Sequence, residues 1–345
     1  MKKIISILLF LLLLPPLAHA SDGGFNKKLS LTPSSRDTLV FDATFAEVNI
    51  EHWDKPRLDI ECDVRVTAKS GKKVQSLLDA VEFEAIKSGR KTGAKVNLRS
   101  STNFNGNSER YKITMTVKAP KGYPMRVNTQ FGDVYGDDFD APLTVYSQYG
   151  KVCVGNVHNI SLRIQFGSKC SVSSARNIAI SNEYSDIAIG RADTLRATDS
   201  FGKIKVGRLS AAGLGLAYSE FVSTDIIRSL RANAQFSKIR IARLAPDFRL
   251  VEVDGQYSKL NIGIPAGSSF DLTTRNMEYG KCRIKGLRTK VLSDENDEWD
   301  YDSSRRNKAS KKQLLQINGG GGGRILFDGG NFSDITITAS DGDDI

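Results

Sequence analysis

Apolar and polar residues in this chain alternate mostly in short runs, and between Gln130 and Gly286 the runs follow one repeated phrase. The phrase is an aromatic residue, a small residue, a polar residue, then two apolar residues separated by one polar. It reads Phe131-Gly132-Asp133-Val134, Tyr149-Gly150-Lys151-Val152, Phe166-Gly167, Tyr184-Ser185-Asp186-Ile187, Phe201-Gly202-Lys203-Ile204, Tyr218-Ser219-Glu220-Phe221, Phe236-Ser237-Lys238-Ile239, Tyr257-Ser258-Lys259-Leu260 and Tyr279-Gly280-Lys281-Cys282. The aromatic recurs every 17 or 18 residues as far as Phe236, then after 21 and 22. A fixed period through nine copies predicts an all-β solenoid with short coils, each burying its apolar face on its neighbours.

Within a coil the apolar residues fall in two clusters. One lies three and five places after the aromatic, as in Ile187 and Ile189 or Ile204 and Val206; the other lies six to two places before the next, as in Leu162 and Ile164. Two short strands per coil account for both. Gly136, Gly155, Gly190, Gly207 and Gly263 close the first strand, where a corner needs a conformation that glycine adopts freely. The alternation of Phe and Tyr from 131 to 257 also fits a 35-residue turn holding two phrases, so the spacing leaves 17 and 35 residues per turn both open.

Outside the repeats the pattern changes. Lys2, Lys3, the apolar run Ile4 to Leu14 and the ending Ala18-His19-Ala20 read as a secretory signal peptide over 1–20, too short for a membrane span. Residues 21–35 are polar and read as a flexible lead-in. Residues 36–127 carry one early phrase, Phe45 to Ile50, the alternating strand Leu58 to Val66, and helical spacing at Val74, Leu77, Leu78 and Val81, predicting a short helix over about 72–80. They form an irregular starter layer and cap over the strand edges that a solenoid end exposes. The repeats occupy 128–345, with a charged insertion at about 288–316 that loops out, a Gly319 to Gly323 run read as a hinge or tight corner, and a last phrase, Phe332 to Ile337, that closes the stack.

The formal charge of +10 falls to +8 when Lys2 and Lys3 leave with the signal. A positive excess outside the cytoplasm suits polyanionic sugars, lipid headgroups or cell-wall polymers, and equally serves solubility. No later segment is apolar enough to span a membrane, no Cys follows the cleavage site to carry lipid, and the C-terminus shows no hydrophobic anchor.

The signal peptide, Phe45 to Ile50, Trp53-Asp54-Lys55 before a strand, the helix near Leu77-Leu78, the passage Tyr111 to Pro124 into Phe131-Gly132-Asp133-Val134, and the later repeats together resemble the adhesin-like bacterial envelope family DUF4097, related to the head GIN domain. The resemblance covers nearly all of the chain after the signal. It implies a single-stranded parallel β-helix, right-handed as parallel crossovers are in general, and it transfers no binding residues.

Little in the chain reads as chemistry. His52 and His158 lie in no metal-binding spacing and read as surface or turn residues; no nucleophile elbow, zinc helix or phosphate loop occurs, so no catalytic, cofactor or metal residue is assigned. The acidic cluster Asp294 to Asp302 does not match a calcium loop. An acidic-polysaccharide lyase on a β-helix is the enzymatic alternative, but no carboxylates cluster at one-coil spacing. Basic residues gather in the C-terminal columns: Lys203, Lys205, Lys238, Arg240, Lys259, Lys281, Arg283 and Lys285. On one face they make a stripe suited to a polyanion; the plainer reading is a solvated face whose lysines discourage edge pairing. The aromatics read as buried stacks in preference to an exposed sugar platform. Cys153 and Cys170 share an offset that permits a bridge, but a bulge at Lys169 would turn Cys170 inward, so free thiols are preferred.

The function expected is a non-catalytic exported module, periplasmic or at the cell surface, that binds an envelope polymer, glycan or protein and not nucleic acid. A periplasmic partner of envelope signalling or stress machinery is the second reading.

Overall fold

The structure, a computed structural model, describes residues 21–99, 109–277, 279–295 and 312–340. The signal peptide and residues 296–311 of the charged insertion lie outside the described residues. Among the described residues the protein is β-structure with one helix, in a large, mostly parallel sheet.

Eight elements build the N-terminal end: β1 (Ser21–Leu31), β2 (Thr38–Thr44), β3 (Ala46–Trp53), β4 (Leu58–Ala68), α1 (Gly71–Leu78), β5 (Val81–Ser88), β6 (Lys91–Leu98) and β7 (Arg110–Pro120). β4 buries Leu58, Ile60, Cys62, Val64 and Val66 on one side, as its period of two requires, and lies antiparallel between β1 and β7. β7 runs parallel to β3, and β6 joins parallel β2 to antiparallel β5. Ser70 starts α1 by accepting the Lys73 N–H, and the helix buries Val74 and Leu77 against β1 and β4. The lead-in expected to be flexible over 21–35 is therefore corrected: Ser21 to Leu31 is a strand paired along its whole length with β4. Phe25, Leu29 and Leu31 share a half-buried face, and a side chain at Gly23 would strike Val74 of the helix.

The repeats follow as β8 (Met125–Gln130), β9 (Val134–Gly136), β10 (Leu143–Gln148), β11 (Val152–Gln165), β12 (Cys170–Glu183), β13 (Asp186–Ser200), β14 (Lys203–Ala217), β15 (Glu220–Gln235), β16 (Lys238–Leu244), β17 (Leu250–Gln256) and β18 (Lys259–Pro265). Each phrase pairs in parallel with the next, as in Val145, Leu162, Ile180, Ala197 and Leu214 along one column. The offset is one phrase, not two, which decides between 17 and 35 residues. The two strands expected per phrase are joined in the middle repeats: β11 to β15 run 14 to 16 residues. In β11 the inward residues are Val152, Val154, Val157, Ile160, Leu162 and Ile164, so the alternation slips by one residue on either side of Val157. These slips bend the strand while keeping its ladder. They also add a buried column, Phe139, Val157, Ala175, Ala192, Leu209, Ile226 and Leu244, that the two sequence clusters omit.

The C-terminal end contains β19 (Phe270–Arg275), β20 (Cys282–Lys285), β21 (Thr289–Glu295), β22 (Lys312–Ile317), β23 (Gly323–Asp328) and β24 (Asp334–Ser340). The last phrase was expected to close the stack, and it does not. β24 lies between β18 and β20, and β23 between β17 and β19, so the Phe332 phrase is inserted before the Tyr279 phrase. The glycine run is the corner that allows this, with Gly319, Gly320 and Gly321 at φ of +95°, +71° and +82°. The expectation that the charged insertion loops out is corrected for its described flanks: β21 and β22 pair antiparallel with each other, and β22 pairs antiparallel with β19, so both extend the sheet.

Candidate binding surface

Among the described residues eleven aromatic side chains form one continuous ladder: Phe45, Phe131, Tyr149, Phe166, Tyr184, Phe201, Tyr218, Phe236, Tyr257, Phe332 and Tyr279. Neighbouring centroids are 4.8–5.5 Å apart and the planes tilt by 2–20°. The spacing is that of adjacent strands, so the ladder is about 50 Å long. The rings are 44–61% exposed, which corrects the expectation of buried stacks. They do not form the sugar platform either, because each inner ring has both faces against its neighbours and presents its edge to water.

The backbone explains the ring positions. Every aromatic of the ladder has a left-handed φ of +49° to +58°, whereas Gly136, Gly155, Gly190, Gly207 and Gly263 do not. The corner conformation assigned to those glycines is therefore carried by the aromatics, at a cost of roughly 1–2 kcal/mol each. Stacking returns about 0.5–1.5 kcal/mol per pair, comparable in size. The glycines answer a different need: a side chain at Gly190 or Gly207 would collide with the Ser173 or Gly190 carbonyl of the preceding repeat.

Serine after the aromatic completes the corner. Ser258 Oγ accepts the Ser237 N–H at 3.1 Å and donates to the Gln256 carbonyl at 2.9 Å; Ser237 and Ser333 accept from Ser219 and Ser258 at 3.1 and 3.0 Å. These hydroxyls bond backbone groups at the buried turn.

The basic residues singled out in the sequence lie on the segments following the aromatics, and acidic residues interrupt them. In spatial order one column reads Lys203, Glu220, Lys238, Lys259, Asp334, Lys281. Lys203 pairs with Glu220 and holds its carboxyl below the usual range. The next outward column carries Lys205, Val222, Arg240, Asn261, Thr336 and Arg283, and Arg283 reaches Asp334 at 3.5 Å. Lys285 ends β20. Asp334 comes from 51 residues beyond Arg283, so the sequence column could not show it.

The segments preceding the aromatics carry a second surface. A shallow groove of about 550 Å³ has Tyr146 and Arg163 at one end, with Ser181, Arg196, Gly213 and Gly215 along it. It adjoins a groove of about 410 Å³ lined by Asp42, Asn97, Asn128, Gln148 and Gln165, which shares Tyr146 and Arg163. The Arg163 guanidinium lies 5.6 Å from the Tyr146 ring centre. A side chain at Gly213 would meet nothing, and one at Gly215 only Thr198 at 3.6 Å, so packing explains neither glycine. Glycine weakens a strand interior, and its use here keeps the floor bare. This surface was not legible from the repeat phrase: its outward column reads Ser161, Ala179, Arg196 and Gly213, small residues interrupted by one cation.

Beneath the floor sits a buried polar pair. Asn182 Nδ2 donates to Asp199 Oδ1 at 2.7 Å and to the Ser185 carbonyl at 2.8 Å. Asp199 is 2% exposed, and burial pushes its carboxyl up to about 6.

His52 meets the Phe139 ring edge-on at 4.9 Å and burial lowers its pKa, while His158 is exposed. The four cysteines are free; Cys170 faces the core opposite Ile187, while Cys153 pairs with Ser171. No group of three His, Cys, Asp or Glu among the described residues is placed to hold a metal, and no described helix is long and apolar enough to cross a membrane.

No protein-family model and no curated protein matches the chain, so the DUF4097 and head GIN likeness rests on the sequence phrases. The chain is similar to crystal structures of a "putative adhesin" from Parabacteroides distasonis, at 14% identity and TM-score 0.42 over 70% of this chain and 97% of that one, and of another from Parabacteroides merdae, at 13% and 0.38 over 67% and 92%. A "putative lipid binding protein" from Parabacteroides distasonis is similar at 12% identity and TM-score 0.37 over 90% of this chain and 96% of that one.

Proposed function

We propose that this protein is an exported, non-catalytic right-handed β-solenoid of the adhesin-like DUF4097 type that binds an extended envelope polymer, with the groove before the aromatic ladder as its contact surface. The groove carries the proposal. It runs across successive repeats, its floor is left open at Gly213 and Gly215, and Tyr146, Arg163 and Arg196 supply an aromatic ring and two cations. Such a surface suits a repeating polar chain lying along the stack and contacting equivalent positions about 4.8 Å apart. The one-phrase offset and single shared core support the solenoid reading.

The test is a glycan array and envelope-polymer pull-down with the exported protein at physiological salt. Saturable binding that is lost when Gly215→Trp fills the floor, in a variant with unchanged circular dichroism, is the expected result. Absence of any saturable partner, or binding indifferent to Gly215→Trp and Arg163→Ala together, removes the proposal.

A further inference from the structure

The two sides of the C-terminal end stop at different heights. On the side of the groove the sheet continues past β19 into β22 and β21. On the side of the charged columns it stops at β20, which pairs with β24 and with no other described strand. Cys282 and Ile284 point toward the interior yet remain half-buried, whereas their column neighbours Ile335 and Ile337 are fully covered. Their uncovered side is where another strand of the stack would lie. The outward positions Lys281, Arg283 and Lys285 are all cationic and exposed, and Asp334 is the carboxylate beside them.

We infer that β20 is an acceptor edge for one extended strand of a partner protein, with acidic residues at alternate positions and apolar residues between them. Residues opposed across a ladder share a face, so the apolar residues cover Cys282 and Ile284 while the carboxylates meet Lys281, Arg283 and Lys285. Main-chain hydrogen bonds supply affinity and the alternating side chains supply specificity.

The same charges exclude a second copy as the occupant. Two β20 edges pairing about a two-fold axis would set three cations against three. Adding β1, the outer strand of the other end, would put Lys27, which shares the Phe25 and Leu29 face, on the apolar side with Cys282 and Ile284, and would offer the cations only the charges of Asp22 and Lys28 on its other face. Like charges directly opposed are destabilising, so the edge rejects its own kind and accepts an acidic strand. This inference does not depend on the groove.

The test uses the exported protein and three labelled eight-residue peptides: glutamate alternating with valine, lysine alternating with valine, and the glutamate peptide with two central valines replaced by proline. Fluorescence anisotropy is expected to show saturable binding of the first peptide alone. Arg283→Glu with Lys285→Glu weakens it at least tenfold, while Lys203→Glu with Lys205→Glu, at mid-stack, leaves it within about twofold. Equal binding of the proline peptide reduces the effect to charge and overturns strand addition; equal binding of the lysine peptide overturns the acidic preference. Failure of all three peptides, concentration-dependent self-association lost on reversing Arg283 and Lys285, or peptide binding only after deletion of residues 296–311 also overturns the inference. Circular dichroism verifies that both double variants are folded.

Discussion

The two ends of the molecule solve the same problem unequally. At the N-terminal end β1, β4, β7 and α1 lie outside the first repeat, and Leu58, Val66 and Leu77 are fully buried. At the C-terminal end a hairpin covers one side, and Cys282, Ile284 and Leu287 stay half-buried. A stack of repeats buries its middle through its neighbours alone, but each terminal repeat needs sequence outside the period. The N-terminal cap uses about ninety residues of such sequence and the β20 side none.

The largest test of this contrast is core truncation at each end. Leu77→Ala should cost about 2–5 kcal/mol in denaturant unfolding, whereas Ile284→Ala should cost under about 1 kcal/mol. Equal costs would break the comparison. Amide exchange sharpens it, with β20 exchanging well before β4.

Next comes the middle of the stack, the reference for both ends. Asp199 has a folded pKa raised to about 6 from 3.8. The folded state therefore binds the proton more tightly, and stability is fully present below about pH 4 and lost as pH rises through 6. Two pKa units correspond to roughly 3 kcal/mol. Asp199→Asn should recover much of this at pH 8 and little at pH 3.5, read from melting curves at both values. A gain independent of pH would rule out the titration.

The serine corners give a smaller effect. Ser258→Ala leaves the Ser237 N–H without its acceptor and should cost about 1–2 kcal/mol. Ser340→Ala, at the end of β24, should cost under about 0.5 kcal/mol. Smallest of all, Lys203→Ala removes a partly exposed ion pair and should change stability by less than about 1 kcal/mol in low salt and less in high salt.

Much of the fold was legible because its rules are local. Alternation at β4 and helical spacing around Val74 and Leu77 each depend on residues within one turn or strand. The ring ladder was legible in position but not in direction. An aromatic at a repeat corner suggests burial, and only the left-handed φ shared by Phe131 and its counterparts turns the rings outward. The lead-in was misread because Phe25, Leu29 and Leu31 are a weak strand signal until β4 offers its edge.

The sequence by itself determined the period, the inward residues of most strands and the need for small residues beside the aromatics, because side-chain alternation and corner sterics act over a few residues. Only the tertiary structure decided the order of the layers. Phe332 lies between Tyr257 and Tyr279, Asp334 breaks a column of lysines, and β20 is left at the edge. Those outcomes depend on which distant strand edges pair, and interchangeable copies of one phrase carry no local mark of their neighbours.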